Sequence, residues 1–214
     1  MKAVIFDLDG VIVTTDEFHY QAWKQLSDRE GIEFDRTINN HLRGVSRSDS
    51  LDIILKKAKR EYSENEKVEM LNFKNNIYKK SLVELTKSDI LDNFNELYEI
   101  LKKNNVKMAI GSSSKNTKTI LKQIGLIDVF DAIADGTDIT KSKPDPEVFL
   151  LAAERLNIDP KACVVIEDAI AGIEAAKAGN MVAVAINDAK KSPLADYRID
   201  NLLEIKSIIL GENI

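Results

Sequence analysis

Two aspartates at the end of the first apolar run are the residues best placed to do chemistry. The run Ala3 to Phe6 is followed by Asp7-Leu8-Asp9-Gly10. Four consecutive apolar residues before a turn signal predict a buried strand of a parallel sheet. Side chains alternate along a strand, so Asp7 and Asp9 can point into the same small volume. Taken alone, the motif is better explained as a solvated Asp-Gly turn after the strand. Unpaired carboxylates beside a core are costly, however, and at the carboxyl end of a strand they can lie in the crevice where open α/β sheets bind ligands.

Three later apolar runs also end in polar residues. The second leads into a Gly/Ser loop from Gly111 to Asn116, whose backbone N–H groups, hydroxyls and lysine can bind a phosphate. Lys143 follows the third run, and Glu167 and Asp168 follow the fourth. The carboxyl ends of parallel strands lie along one edge of a sheet, so we expect these groups to meet. Carboxylates gathered there form an oxygen-rich site suited to Mg²⁺.

The elements that position these groups follow from the hydrophobic pattern. Residues 15–87 show helical periodicity and no strand signal, whereas helices and short apolar strands alternate from residue 88 onward. This alternation predicts right-handed crossovers and a parallel sheet. The sequence therefore predicts an α/β fold: a Rossmann-like parallel sheet core with helices on both faces, formed by residues 1–14 and 88–214. An α-helical domain, residues 15–87, is inserted after the first strand.

Composition limits the classes of function. The chain has 214 residues, of which 44% are hydrophobic and 30% charged, and a net charge of −5. This charge argues against a nucleic-acid partner, and an anionic ligand would need positive charge concentrated in its site. Cys163 is the only cysteine, so no disulfide within the chain is expected. No apolar run reaches the roughly 18 residues of a membrane helix, and a cytoplasmic protein without a membrane partner is expected.

The four motifs together resemble those of the haloacid dehalogenase superfamily of phosphotransferases. The matching residues are Asp7, Asp9, Ser112, Lys143, Glu167 and Asp168. The resemblance implies that Asp7 attacks phosphorus to form an aspartyl phosphate, while Asp9 donates and accepts a proton. It also implies that Ser112 and Lys143 bind the transferring phosphoryl oxygens. Mg²⁺ would be held by Asp7, the backbone carbonyl of Asp9 and Asp168, with Glu167 close by.

The inserted domain resembles the cap of the sugar-phosphate mutases in this superfamily, which interconvert β-glucose 1-phosphate and glucose 6-phosphate through a 1,6-bisphosphate. The resemblance implies that Arg47 grips the phosphate that is not reacting. It also implies that His19 and Lys74 hold and release Asp9 as the cap closes, with Thr15 at the hinge. The other substrate-binding residues implied by this resemblance are Trp23, Gly44, Val45, Ser46, Ser50, Asn75, Ser113, Ser114, Lys115 and Asn116.

Other interpretations stay open at this point. The same scaffold serves sugar-phosphate phosphatases, and a non-catalytic phosphosugar sensor would keep the pocket. His19 and Arg47 are also compatible with purely structural roles on helices. Thr14 stands where many relatives have an acid, and Ala169 stands where the mutases have a hydroxyl. A small sugar phosphate is the expected partner and a monomer the expected state.

Overall fold

A single parallel sheet organises the chain. The computed structural model describes residues 1–43 and 45–211. Within them the strands run in the spatial order β3-β2-β1-β4-β5-β6, and every neighbouring pair is parallel. The strands are β1 (Ala3–Phe6), β2 (Lys107–Gly111), β3 (Ala132–Ala134), β4 (Cys163–Glu167), β5 (Val182–Ala185) and β6 (Tyr197–Arg198). The first strand is therefore central, and the predicted parallel-sheet fold is confirmed.

The helices fall into two groups along the chain. Between β1 and β2, in the part predicted as an inserted domain, lie α1 (Asp16–Glu30), α2 (Arg36–Asn40), α3 (Arg47–Leu55) and α4 (Glu64–Ser81). The rest of the described chain contains α5 (Phe94–Lys103), α6 (Thr117–Gln123), α7 (Glu147–Leu156), α8 (Ile170–Ala178) and α9 (Ile205–Leu210). We call residues 15–87 the cap segment and the rest the core. The division at these residues remains a prediction.

The two faces of the sheet carry side chains of different size. On one face α5, α6 and α9 cover a cluster of large side chains that includes Phe6, Phe94 and Phe130. On the other face α7 and α8 cover a cluster made mostly of alanines. Alternation along β1 produces this division, since Val4 and Phe6 face the first cluster while Ala3 and Ile5 face the second. Small side chains allow α7 and α8 to lie close to the sheet.

The cap segment has a hydrophobic cluster of its own. Trp23 and Leu26 from α1 pack there with Leu51 from α3 and Met70 from α4. Its two connections to the core run side by side, because Val13 and Ile90 form an antiparallel bridge. The segment is thus joined to the core through one double connection.

The sequence patterns left out β6 and α9. The first is only two residues long and the second only six, too short for either periodicity to show. Among the described residues, none of the helices combines the length and the apolar character that crossing a bilayer requires.

Candidate active site

Strand register brings the first and fourth motifs together. Phe6 is paired with Ile110 of β2 and with Ile166 of β4. The backbone N–H of Asp7 donates to the carbonyl of Ile166 at 3.0 Å, so Asp7 leaves the sheet beside Glu167. A cavity of about 740 Å³ opens at this edge, between the core and the cap segment.

A buried lysine joins the two motifs. Lys143 Nζ donates to Asp7 Oδ1 at 2.6 Å and to Glu167 Oε1 at 2.5 Å. All three residues are buried. Burial alone would lower the pKa of Lys143, but the two carboxylates outweigh it and raise the pKa above its usual range. A permanent positive charge therefore lies against the carboxylate of Asp7.

Asp9 is turned toward the start of the cap segment. Its carboxylate accepts from the backbone N–H of Thr15 at 2.7 Å and from the Thr15 hydroxyl. That hydroxyl lies 2.9 Å from the hydroxyl of buried Tyr78. Burial raises the pKa of Asp9 to about 7, although the Thr15 hydrogen bonds lower it. A carboxyl with this pKa can both give and take a proton near neutral pH, as a general acid and base must.

A half-buried histidine of α1 and a buried lysine of α4 lie beside Asp9. Lys74 Nζ is 2.8 Å from His19 Nδ1, and His19 Nε2 is 3.9 Å from Asp9 Oδ2. Lys74 is only 1% exposed, and its ammonium lies over the rings of Trp23 and Tyr78. Burial, with a further contribution from Arg47, lowers the pKa of Lys74 well below its usual value. Burial, followed by repulsion from Lys74, also lowers the pKa of His19 well below its usual value.

At the part of the cavity formed by α3 and the loop after β2, the described residues leave two cationic side chains without a carboxylate partner. Arg47 occupies the first turn of α3, which Ser46 caps by accepting from the N–H of Asp49. Arg47 and Lys115 line the cavity, and neither forms an ion pair with a carboxylate among residues 1–43 and 45–211. Burial lowers the pKa of Arg47. A half-buried guanidinium in this setting favours an anionic ligand.

The loop after β2 completes this part of the cavity. The N–H of Ser114 donates to the Ser112 hydroxyl at 3.3 Å, and the N–H of Asn116 donates to the Ser114 hydroxyl at 3.2 Å. The Asn116 amide donates to Asn75 Oδ1 on α4 at 3.1 Å. The Ser113 hydroxyl is buried and has no partner among the described residues. The loop therefore keeps hydroxyl and amide groups beside the cavity.

The acidic end of the cavity fits a hard cation. Burial raises the pKa of Asp168 to about 9, with repulsion from Glu167 and Asp7 adding to the effect. A Cβ added to Gly10 would overlap the Asp168 carboxyl, so the backbone after Asp9 approaches that carboxyl closely. The described residues contain no ready cluster of three His, Cys, Asp or Glu side chains. Mg²⁺ commonly takes only one or two protein carboxylates and fills its shell with water and phosphate, so this donor set suits it.

Most of the predicted site residues surround the one cavity. Those lining it are Asp7, Asp9, His19, Trp23, Val45, Ser46, Arg47, Ser50, Lys74, Ser112, Ser113, Ser114, Lys115, Asn116, Lys143, Glu167 and Asp168. Thr15 and Asn75 do not line it but are hydrogen-bonded to Asp9 and Asn116. Gly44 lies outside the residues that the structure describes.

Two contributors were not predicted. Arg43 lines the cavity and pairs with carboxylates of both the cap segment and the core. Gly172 of α8 lies against Glu167, where a Cβ would overlap the carboxyl group. Asp188 is distant from Arg43 in sequence, and Glu167 lies on a different element from Gly172, so only the fold reveals these contacts.

The chain belongs to the haloacid dehalogenase-like hydrolases, whose family model matches residues 1–180. It is 42% identical to β-phosphoglucomutase of Bacillus subtilis over 214 residues, which cover 99% of this chain and 95% of that protein. The crystal structure of β-phosphoglucomutase from Clostridium difficile superposes with a TM-score of 0.91 at 39% identity, covering 99% of this chain and 98% of the other.

A second kind of relative has a different activity. The phosphorylated carbohydrates phosphatase of Thermotoga maritima is 30% identical over 200 residues, or 89% of each chain. Together, the family model and these relatives confirm the predicted superfamily resemblance. The chain is an enzyme of the phosphotransferase type.

Proposed function

We propose that the enzyme interconverts β-D-glucose 1-phosphate and D-glucose 6-phosphate through an aspartyl phosphate on Asp7 and a β-glucose 1,6-bisphosphate intermediate. The observation that carries this proposal is the second cationic part of the cavity, where Arg47 and Lys115 have no carboxylate partner in the described chain. A mutase must hold one phosphate of the bisphosphate while the other reacts. The similarity to β-phosphoglucomutases over nearly the whole chain supports the same assignment.

In the first transfer the phosphorylated Asp7 gives its phosphoryl group to the sugar. The 6-hydroxyl oxygen of β-glucose 1-phosphate attacks phosphorus, and the bond from phosphorus to the Asp7 oxygen breaks. Asp9 takes the hydroxyl proton, for which a pKa of about 7 is well placed. Lys143 and Ser112 bind the transferring phosphoryl oxygens and offset their charge.

The second transfer is the reverse reaction at the other end of the sugar. The bisphosphate rebinds with its ends exchanged, and Asp7 attacks the phosphorus attached to the 1-oxygen. Asp9 returns its proton to that oxygen, which leaves glucose 6-phosphate and the phosphorylated enzyme. Arg47, Ser114, Lys115 and Asn116 hold the 6-phosphate during this step.

Mg²⁺ would be held by Asp7, the backbone carbonyl of Asp9 and Asp168, and when bound it would supply positive charge against the phosphoryl oxygens. Glu167 would lie close to the ion while it accepts the hydrogen bond from Lys143. The location in the cytoplasm and the monomeric state remain predictions from the sequence.

One assay separates the mutase from the phosphatase alternative, which the similarity to the Thermotoga phosphatase supports. The enzyme is given β-glucose 1-phosphate, Mg²⁺ and a trace of the 1,6-bisphosphate, and glucose 6-phosphate and free phosphate are measured separately. We expect glucose 6-phosphate to accumulate with little free phosphate. Release of phosphate in step with sugar consumption would instead identify a phosphatase.

A further inference from the structure

A chain of alternating charges crosses from the cap segment to the core. Arg43, in the loop between α2 and α3, pairs through Nη2 with Asp16 at the start of α1. Its Nη1 donates to Asp188 Oδ2 at 3.0 Å, in the 3₁₀ turn that follows β5. Lys191 Nζ donates to Asp188 Oδ1 at 2.6 Å. Two of these charges therefore belong to the cap segment and two to the core.

This bridge lies on the opposite side of the cleft from another polar contact between the two parts, and Thr15 and His19 contact Asp9 in the cleft itself. The hydrogen bond from Asn116 to Asn75 lies where the chain leaves β2. In the sheet, β2 and β5 lie on opposite sides of β1, the strand that leads to Asp7. The two contacts thus straddle the nucleophile. The cap segment is joined covalently only through the paired connections at Val13 and Ile90. Such polar contacts therefore act together with the apolar packing of Tyr78 and Leu82 to set how it sits on the core.

The two carboxylates have different effects on the guanidinium. Asp16 and Arg43 are both in the cap segment, so their pair persists when the cap segment moves away from the core. Asp16 thereby keeps the guanidinium oriented toward Asp188, and re-forming the bridge costs less side-chain entropy. A planar guanidinium can serve two carboxylates through separate nitrogens, which a single ammonium does less well.

We propose that Arg43 is a positioning residue that clamps the cap segment to the β5 side of the core by bridging Asp16 and Asp188. The clamp sets the fraction of enzyme whose cleft is closed. Only its kinetic consequence rests on the proposed mutase function. Arg43 is 36% exposed and Asp188 49% exposed, so the contribution is that of a surface network. We expect a change of about three- to five-fold in the ratio of closed to open enzyme.

The direct test measures the distance between the two parts. Spin labels on Lys57→Cys in the cap segment and Lys122→Cys on α6 report that distance by pulsed electron paramagnetic resonance. Both sites are exposed, and Cys163 is buried, so labelling should be specific. Arg43→Ala and Asp188→Asn should each shift the distribution toward longer distances by the same amount, and the double variant should shift it no further. Arg43→Lys should restore part of the short-distance population.

The matched control is Arg36→Ala, which removes an arginine from an exposed pair with Glu17 inside the cap segment. It should leave the distances unchanged. An equal shift in this control, or additive shifts for Arg43→Ala and Asp188→Asn, would overturn the clamp.

Kinetics supply the second readout. At low salt both variants should lose kcat/KM by the same factor of about three to five, and the loss should shrink in about 1 M salt, where the Debye length is only about 3 Å. A loss in Arg43→Ala that Asp188→Asn does not share would mean that Arg43 contacts the substrate itself, which would refute the clamp. If the unaltered enzyme makes no glucose 6-phosphate, the proposed function fails while the distance measurement still tests the clamp.

Discussion

At the scale of single residues, Asp7 is the group on which the proposed chemistry depends. Asp7→Asn should abolish phosphoryl transfer, since the amide keeps the shape of the carboxylate but is a very poor nucleophile. Intact-protein mass spectrometry after incubation with acetyl phosphate and Mg²⁺ would detect the phosphorylated enzyme, and thermal unfolding would check the fold. A phosphorylated species that forms as well in this variant as in the unaltered enzyme would place the nucleophile elsewhere.

Arg47 distinguishes a mutase from a phosphatase. If Arg47 binds the distal phosphate as proposed, Arg47→Ala should remove charge-assisted hydrogen bonds worth about 1.5–3 kcal/mol, or roughly ten- to a hundred-fold in rate or binding. The loss should fall on mutase turnover. Phosphorylation of Asp7 by acetyl phosphate, which has no distal phosphate, should survive much better because Lys143 and Ser112 are unchanged.

Comparison of the two reactions in the same protein is the control. Equal losses in both would indicate a general defect of the cap segment. If neither reaction is impaired, Arg47 is a half-buried helix residue without a role in either reaction, and the phosphatase interpretation gains support.

At the scale of secondary-structure elements, α8 shapes the site through a glycine. Gly172 lies inside the helix, where alanine would ordinarily be favoured by about 1 kcal/mol. Here a Cβ would overlap the Glu167 carboxyl, which holds Lys143. Gly172→Ala should therefore slow phosphorylation of Asp7 by about ten-fold or more, the scale of one lost charged hydrogen bond.

Gly179→Ala at the end of the same helix is the matched control. A Cβ there would meet its nearest neighbours only at 3.4 Å, so phosphorylation should proceed normally. Similar rates in both variants would show that the position of Glu167 does not limit the reaction.

The sequence was most informative where the pattern was local. The apolar runs before Asp7 and Glu167 predicted buried strands, and β1 and β4 are there with every residue buried. The short elements β6 and α9 carry too few residues to produce a period. Arg43 and Gly172 were missed for another reason, because their roles depend on tertiary contacts. The partner of Arg43 in the core, Asp188, is more than a hundred residues away. The partner of Gly172, Glu167, lies on another element.

At the scale of the whole molecule, the cap segment has a separate hydrophobic cluster, so a mutation can destabilise the cap segment more than the core. Leu51 of α3 is 1% exposed within that cluster. Leu51→Ala should cost about 2–5 kcal/mol, mainly in the cap segment. Mutase activity should fall at temperatures where acetyl phosphate still phosphorylates Asp7. Fluorescence of Trp23, the only tryptophan, should report unfolding at a lower urea concentration than circular dichroism does.

Leu101→Ala on α5, at a residue that is 0% exposed in the core, is the comparison and should impair both reactions together. The larger cluster also includes Tyr78 and Leu82 from the cap segment, so some coupling between the two parts is built in. Coincident fluorescence and dichroism transitions in Leu51→Ala would show that the chain unfolds as one cooperative unit instead.

The unequal faces of the sheet determine which mutations a library of this enzyme can tolerate. Where alanines let α7 and α8 lie close, any larger residue adds volume that has no space, so replacements such as Ala152→Val should be rare among survivors. On the face covered by α5, the ring centroids of Phe6 and Phe94 are 5.7 Å apart. The harmful changes there are those that remove atoms and leave a cavity. Selection for new substrates would therefore accumulate its changes in the cap segment, and the helices beneath Asp7 would stay as they are.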